Sequence, residues 1–224
     1  MLDLLDRKQD VTGAPVAPVA SPTKLKGIAV CGSHPLTKMA APFKDPGYLI
    51  YACSPDNSPY GHPDNRSPLP RVTEFFEIHV PVFDRSRPYA YLQWLSQQPF
   101  RLWMRDEMAM NFYTDAGKRL FPNAVLYPEQ ELKDIFGPFT FTSSIAFMVA
   151  KAIADIERMK HEGVMGADGK PPELHLYGIL QAGKEEYVKQ RQGTQNMLWN
   201  ATQAGIKVHV ANESRLFEPP PEDF

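Results

Sequence analysis

Residues 27–35 read Gly-Ile-Ala-Val-Cys-Gly-Ser-His-Pro, and the architecture of the chain can be worked out from this stretch. Its apolar run from Ile28 to Cys31 stops at Gly32, as in a buried parallel strand that enters a tight loop. In an open α/β sheet, ligands bind at the carboxyl ends of such strands, where loop amides and helix N-termini attract anions. The loop of Gly32, Ser33 and His34 can therefore hold a phosphate. A single Gly is also ordinary at the end of a first strand, so the loop alone leaves both interpretations open.

The rest of the chain alternates strand-like and helix-like segments without an internal repeat. This alternation predicts a Rossmann-like α/β domain with an open, mostly parallel sheet and helices on both faces. The predicted strands are 28–31, 48–53, 74–80, 101–104, 124–127, 174–180 and 207–210. The predicted helices are 87–96, 129–136, 140–156 and 184–204, with 108–119 left ambiguous.

Length and composition suit one such domain. The chain has 224 residues, 22 prolines and a net charge of -2, so no global attraction to nucleic acid or membrane is expected. We predict a domain over 24–212, an Ala/Pro-rich arm over 1–23 and an acidic, Pro-rich tail over 213–224. No apolar run has the length of a membrane span, and Met1 is not followed by a signal-peptide pattern. These features predict a soluble, intracellular protein with two free, buried cysteines.

The segment 54–70 is rich in turn residues, and a loop of this length is usually functional or mobile. It contains Asp56, His62 and Asp64, which are residue types that bind metals. Their spacing matches no closed metal site, and all three are ordinary turn residues, so we predict no metal site here.

Strand 74–80 carries the candidate catalytic residues. Glu77 and His79 are two residues apart, so they lie on one face, close to the carboxyl end where ligands bind. His79 is the best single candidate for proton transfer. The alternative is that neighbouring backbone groups satisfy both side chains.

The hydroxyls of Thr142, Ser143 and Ser144 mark the start of the clearest helix. A hydroxyl-rich helix start can cap the helix or bind an anion, and three hydroxyls exceed what one cap needs. Arg191, in the polar helix 184–204, is either a phosphate partner or part of a solvated helix face.

Several motifs occur together in one order. They are the strand-Gly-Ser-x-Pro opening, Phe75-Phe76-Glu77-Ile78-His79, Phe141-Thr142-Ser143-Ser144-Ile145-Ala146-Phe147-Met148, Leu176-Tyr177-Gly178, Glu185-Glu186-Tyr187, Gln190-Arg191 and Gly205-Ile206-Lys207-Val208-His209-Val210. Over about residues 27–217 this combination resembles a family of Rossmann-like proteins of tailed bacteriophages and prophages. More distantly it is similar to sialyltransferases that use CMP-sialic acid, and to the motility accessory factor and 6-hydroxymethylpterin diphosphokinase-like group.

The resemblance implies that the first loop and the helix start hold a nucleotide or its phosphates. The residues concerned are Gly32, Ser33, Thr142, Ser143 and Ser144. One departure concerns catalysis. Relatives commonly carry an acidic residue just after the Gly of the Tyr-Gly strand, whereas this chain continues Ile179-Leu180-Gln181.

These observations lead to two expected functions. The first is a glycosyltransferase-like enzyme that binds a nucleotide or nucleotide sugar, with Glu77 or His79 as base and Arg87 and Arg191 balancing phosphate charge. Its acceptor would be a modified base in DNA or another phage or host polymer, and it would work in the host cytoplasm. The alternative is a non-catalytic virion or accessory component that docks other phage proteins through residues 1–22 and 213–224. A NAD-dependent oxidoreductase is disfavoured, because the glycine fingerprint is absent and Asp56 is the only acidic candidate after strand two.

Overall fold

The strands form one sheet. The computed structural model describes residues 24–53, 69–82, 89–166, 168–179, 185–211 and 214–217. The strands are β1 (Gly27–Cys31), β2 (Tyr48–Cys53), β3 (Glu74–Glu77), β4 (Arg101–Met104), β5 (Ala124–Leu126), β6 (Glu173–Tyr177) and β7 (Val208–Val210). They form a seven-stranded sheet in the order β5-β4-β3-β2-β1-β6-β7. Every neighbouring pair is parallel, which confirms the predicted Rossmann-like open sheet.

Helices pack on both faces of this sheet. They are α1 (Pro35–Lys38), α2 (Tyr89–Ser96), α3 (Glu107–Met110), α4 (Glu129–Phe136), α5 (Ser144–His161) and α6 (Glu185–Gln203), with 3-10 turns at Pro138–Thr140 and Arg215–Phe217. Alternate strand residues supply two cores. Ile28 and Val30 pack with α4, α5 and α6, whereas Ala29 and Cys31 pack with α2 and α3. Burial on both faces explains why β1 is apolar throughout. Among the described helices, none is both long and apolar enough to cross a membrane.

The chain order reverses between β1 and β6. β2 through β5 extend the sheet on one side of β1, and β6 and β7 extend it on the other. In open α/β sheets, such a switch point opens a crevice at the carboxyl ends of the two strands. We call the border formed by the carboxyl ends of the strands the carboxyl edge, and the opposite border the amino edge. Residues 27–35, which contain β1 and the loop after it, therefore lead directly into the switch point.

Some element boundaries differ from the predicted ones. β3 ends at Glu77 rather than at residue 80; Glu77 is opposite Met104 at the end of β4 and one residue past Phe76, which is opposite Cys53 at the end of β2. β6 ends at Tyr177 because Gly178 takes a positive φ of 64°. α5 begins at Ser144 rather than at residue 140, because the Ser143 side chain accepts a hydrogen bond from the N–H of Ala146 and caps the helix there.

The packed domain also extends past residue 212. Leu216 is fully buried, and its carbonyl accepts a 2.5 Å hydrogen bond from the Gln195 side chain of α6. The start of the predicted tail is therefore part of the domain. The predicted arm, the loop residues Asp56, His62 and Asp64, and also Arg87, Leu180 and residues 218–224, lie outside the described residues.

An ionic cluster is buried between α5 and the sheet. Asp155 accepts hydrogen bonds from Lys151 at 2.5 Å and from the Tyr51 hydroxyl at 2.6 Å, and Arg158 lies 3.1 Å away. Burial alone would raise the pKa of Asp155, but the two cations hold this pKa below its usual value. The Lys151 ammonium also lies 4.5 Å from the ring centre of Trp103, whose indole N–H donates to Glu74. The cluster fixes α5 against β2, β3 and β4.

Candidate functional site

Hydrogen bonds join the ends of β1 and β6 at the switch point. The N–H of Gly32 donates to the carbonyl of Tyr177 at 2.8 Å, and the N–H of His34 donates to the carbonyl of Gly178 at 2.9 Å. The N–H of Gly178 in turn donates to the Thr37 hydroxyl at 2.7 Å. The two loops are thus held together before any ligand binds.

The close contact of these loops requires glycine on both sides. A Cβ at Gly32 would stand 2.3 Å from the Gly178 carbonyl oxygen, and a Cβ at Gly178 would stand 2.6 Å from that of Gly32. Gly178 also has φ 64°, which disfavours L side chains. Lys38 packs against the same junction with 2% of its surface exposed, and sequence reasoning did not identify it.

These contacts limit how the first loop can bind a phosphate. The N–H groups of Gly32 and His34 are already hydrogen-bonded, so neither is available to a phosphate unless the contact between the loops changes. Burial lowers the pKa of His34, which keeps its imidazole neutral. The assignment of the loop residues Gly32, Ser33 and His34 stays a prediction.

At the end of β3, Glu77 and His79 form a hydrogen-bonded pair. Nδ1 of His79 lies 3.1 Å from Oε1 of Glu77, and the Tyr91 hydroxyl donates to Oε2 of Glu77 at 2.5 Å. Glu77 is 1% exposed, whereas the His79 side chain is 55% exposed. The structure therefore brings together the two predicted catalytic residues. Tyr91, which reaches Glu77 from α2, was not identified from the sequence.

This arrangement orients the imidazole. A carboxylate at Nδ1 favours the tautomer with the proton on Nδ1, which leaves the Nε2 lone pair free. Nε2 of His79 has no hydrogen-bond partner in the part of the chain that the structure describes. An exposed nitrogen base, oriented by a buried carboxylate, is the arrangement that activates hydroxyl nucleophiles in enzymes.

Arg105 connects this pair to the neighbouring helices. Its guanidinium makes two hydrogen bonds to Glu129, of 2.5 and 2.8 Å, and lies 4.7 Å from the ring centre of Phe147. It also donates to the carbonyl of Ile78, between Glu77 and His79, at 3.4 Å. Arg105 thus fixes the carboxyl ends of β3 and β4 to the first turns of α4 and α5. It was not identified from the sequence, because its partners are distant along the chain.

The hydroxyls at the start of α5 have structural partners. Ser143 caps the helix by accepting from the N–H of Ala146 at 3.2 Å. The Thr142 hydroxyl donates to the Gln190 carbonyl of α6 at 3.1 Å, while Ser144 is the first residue of the helix. A bound anion would therefore meet only the first-turn N–H groups of α5 other than that of Ala146, which Ser143 already caps. Whether Thr142, Ser143 and Ser144 contact a nucleotide stays a prediction.

Arg191 lies in α6 and is 4% exposed. It is next to Gln190, whose carbonyl binds Thr142, so it lies near the start of α5. The interpretation of Arg191 as part of a solvated helix face is therefore wrong. Its role as a phosphate partner stays a prediction.

A second polar cluster lies at the amino half of β6 and β7. Glu173, His175 and His209 each offer a possible metal-binding atom, and these atoms lie within 4.8 Å of one another. No metal ligand was predicted at these positions from the sequence. The available signal was one histidine on each of two predicted strands and a glutamate directly before one of them, but which strands are neighbours is fixed only by the fold.

The fold and these sites define a Rossmann-like α/β protein with a histidine–carboxylate pair at the carboxyl edge of its sheet. Comparisons with protein-family models, with curated proteins and with solved structures give no match to this chain. Its function must therefore be inferred from the sites themselves.

Proposed function

We propose that this chain binds a nucleotide or nucleotide sugar at the carboxyl edge and transfers a group to an acceptor hydroxyl. The observation that supports this most directly is the Tyr91–Glu77–His79 chain of hydrogen bonds. A buried carboxylate that leaves an imidazole exposed at the ligand-binding edge of an α/β sheet suits a general base.

The position of His79 relative to the switch point fits this proposal. β3 is separated from β1 by β2, so His79 stands two strand spacings, about 10 Å, from the β1–β6 crevice. An extended nucleotide sugar can span this separation, with its nucleotide at the crevice and its sugar near the imidazole. The α5 N-terminus faces the same edge, because Arg105 links Phe147 of its first turn to Ile78.

The proposed reaction transfers the sugar from the nucleotide to the acceptor hydroxyl. Nε2 of His79 removes the proton of the acceptor hydroxyl, and the resulting oxygen nucleophile attacks the anomeric carbon of the sugar. The new carbon–oxygen bond forms as the bond to the phosphate oxygen breaks. The nucleotide leaves with that electron pair. Glu77 stabilises the imidazolium that forms, and the first-turn amides of α5 favour the charge of the leaving phosphate. The phage resemblance makes a hydroxyl of a modified DNA base or another polymer the candidate acceptor.

The test has a binding arm and a turnover arm. Purified protein is screened by thermal unfolding against nucleotides and nucleotide sugars, and release of free nucleotide from each hit is then measured. A ligand at about a hundred times its Kd stabilises the folded state by about 2.7 kcal/mol. His79→Gln should lower turnover by about 10²–10⁴-fold while binding is kept. His161→Gln, at the exposed end of α5, is the matched control and should change neither.

A second candidate is a non-catalytic component of a phage particle or accessory complex. The structural use of Ser143, Thr142 and the Gly32 and His34 amides favours it, because these groups already have protein partners. Two results together would support this second candidate and contradict the transferase. The first is that no nucleotide in the panel stabilises the protein against thermal unfolding. The second is that deletion of residues 1–22 abolishes its biological activity.

A further inference from the structure

Two histidines and a glutamate converge on one face of β6 and β7. His175 of β6 is directly opposite His209 of β7 in the sheet register. Glu173 is two residues before His175, so it lies on the same face of β6. The flanking residues Leu174 and Val208 pack into the core on the other face, which leaves the three polar side chains on the side away from α5 and α6.

The donor atoms of this cluster lie close to one another. Oε2 of Glu173 lies 2.6 Å from Nε2 of His209 and 3.5 Å from Nε2 of His175. The two imidazole rings are stacked, with centres 4.2 Å apart and planes 12° apart. Three nitrogen and oxygen donors from three side chains thus lie within 4.8 Å of one another.

His175 has a ligand atom without a partner. Its Nε2 is buried and has no hydrogen bond among the residues that the structure describes. A buried polar atom without a hydrogen bond is rare, and a bound water or ion is one explanation for it.

We propose that Glu173, His175 and His209 bind a divalent transition-metal ion, best matched by Zn²⁺. Two imidazoles and one carboxylate are a known ligand set for zinc, with donor distances of about 2.0–2.2 Å and an open fourth position. The ion must lie in the plane of each imidazole that binds it, so His175 and His209 have to turn out of their stacked arrangement when it binds. The mixed nitrogen and oxygen set disfavours Mg²⁺ and Ca²⁺, which take oxygen ligands.

The surrounding charges are compatible with a cation. Lys207 holds Oε1 of Glu173 at 3.2 Å and leaves Oε2 to the two imidazoles, and its side chain is 64% exposed and can move away. Lys26 is paired with Asp45 at 2.7 Å, and Lys170 is paired with Asp168 at 3.2 Å. The lysines nearest the site are therefore already paired with carboxylates.

A ligand bound in the cleft beside the cluster can occupy the fourth coordination position of the ion. The cleft is bordered by Glu173, Tyr48, Asp168 and the side chains of Lys26, Lys170 and Lys207. Water or a small anion in this cleft can complete the coordination of the ion. The site lies on β6 and β7 rather than at the carboxyl edge beside His79, so it is independent of the proposed transferase.

The full chain is first freed of metal by chelation and then titrated with Zn²⁺ by calorimetry, with Mg²⁺ as a second titrant. The variants are His209→Gln and Glu173→Gln, and His161→Gln is the matched control. Circular dichroism and urea unfolding without metal establish that each variant is folded. Substitution of Co²⁺ for Zn²⁺ reports the coordination geometry through its visible absorption.

We expect one Zn²⁺ per chain, no Mg²⁺ binding, and at least tenfold weaker Zn²⁺ binding in both ligand variants with the control unchanged. Absence of Zn²⁺ binding would overturn the proposal. So would unchanged binding in both folded variants, because the ion would then be held elsewhere. If His209→Gln does not fold, Glu173→Gln alone decides between these outcomes.

Discussion

Replacing Asp155 by Asn should destabilise the protein strongly. The Asp155 carboxylate is buried and contacts the Lys151 ammonium at 2.5 Å and the Tyr51 hydroxyl at 2.6 Å. Asn keeps the size of the side chain but leaves the buried ammonium without its counter-charge. Removal of one partner from a buried ion pair costs about 3–5 kcal/mol, a large share of the ~5–15 kcal/mol stability of a typical domain.

Urea unfolding followed by circular dichroism measures this loss. With a slope of about 2 kcal/mol/M, the unfolding midpoint should fall by about 1.5–2.5 M without a change in slope. Glu157→Gln is the matched control on the same helix, because Glu157 pairs with Lys160 at 2.7 Å while both side chains are more than a quarter exposed. Its cost should stay below about 1 kcal/mol.

A triple variant that replaces both members of the ion pair and the Tyr51 hydroxyl gives a second test of the same prediction. Replacing the three residues by apolar ones (Tyr51→Phe, Lys151→Met and Asp155→Leu) removes both charges of the Lys151–Asp155 pair and leaves no buried polar atom of the three unpaired, while the Arg158 side chain is 55% exposed and can be hydrated. Such replacement of a buried ion pair is often neutral or stabilising. The triple variant should therefore be clearly more stable than Asp155→Asn. Two results would contradict the predicted role of the buried ion pair. One is that Asp155→Asn lowers the free energy of unfolding no more than Glu157→Gln does. The other is that the triple variant is less stable than Asp155→Asn.

Four further outcomes are expected. Because the pKa of Asp155 is held below its usual value, its stabilising contribution is present above that usual value and is lost as the pH falls through the lowered pKa; the stability difference between wild type and Asp155→Asn should shrink in acid. Gly32→Ala forces a Cβ to 2.3 Å from the Gly178 carbonyl and should cost about 1–3 kcal/mol in urea unfolding. Burial raises the pKa of Cys31 to about 12, so iodoacetamide should label this thiol only after unfolding, as seen by mass spectrometry. Leu216→Ala should cost about 2–5 kcal/mol if this residue belongs to the core, and almost nothing if it belongs to a free tail.

The sheet was predictable because its strands are marked locally. β1 and β2 are apolar runs that end at turn residues, and this pattern needs no tertiary information. The strand order was not predictable, because the neighbours of β1 are decided by crossover connections and packing. The end of β3 was also missed. The sequence continues with the apolar residues Ile78 and Val80 after Glu77, whereas the strand stops where its neighbours stop.

The candidate sites were predictable only where their members are close in sequence. Glu77 and His79 are two residues apart, so one strand pattern is enough to place them together. Tyr91, which completes that site, comes from another element and leaves no local signal. Glu173 and His209 are 36 positions apart, and their contact depends on the adjacency of β6 and β7.

The proposed function requires a nucleotide or nucleotide sugar to bind at the carboxyl edge beside His79. The most direct measurement is a ¹⁵N–¹H NMR titration of the labelled full chain with the ligand selected by thermal unfolding, in the presence of a chelator that keeps the Glu173–His209 cluster free of metal. We predict saturable shifts of the amides of Ser33, His79 and Ser144, with the amides of Glu173 and His209 unchanged. No saturable shift at the carboxyl edge, or shifts confined to Glu173 and His209, would contradict the claim.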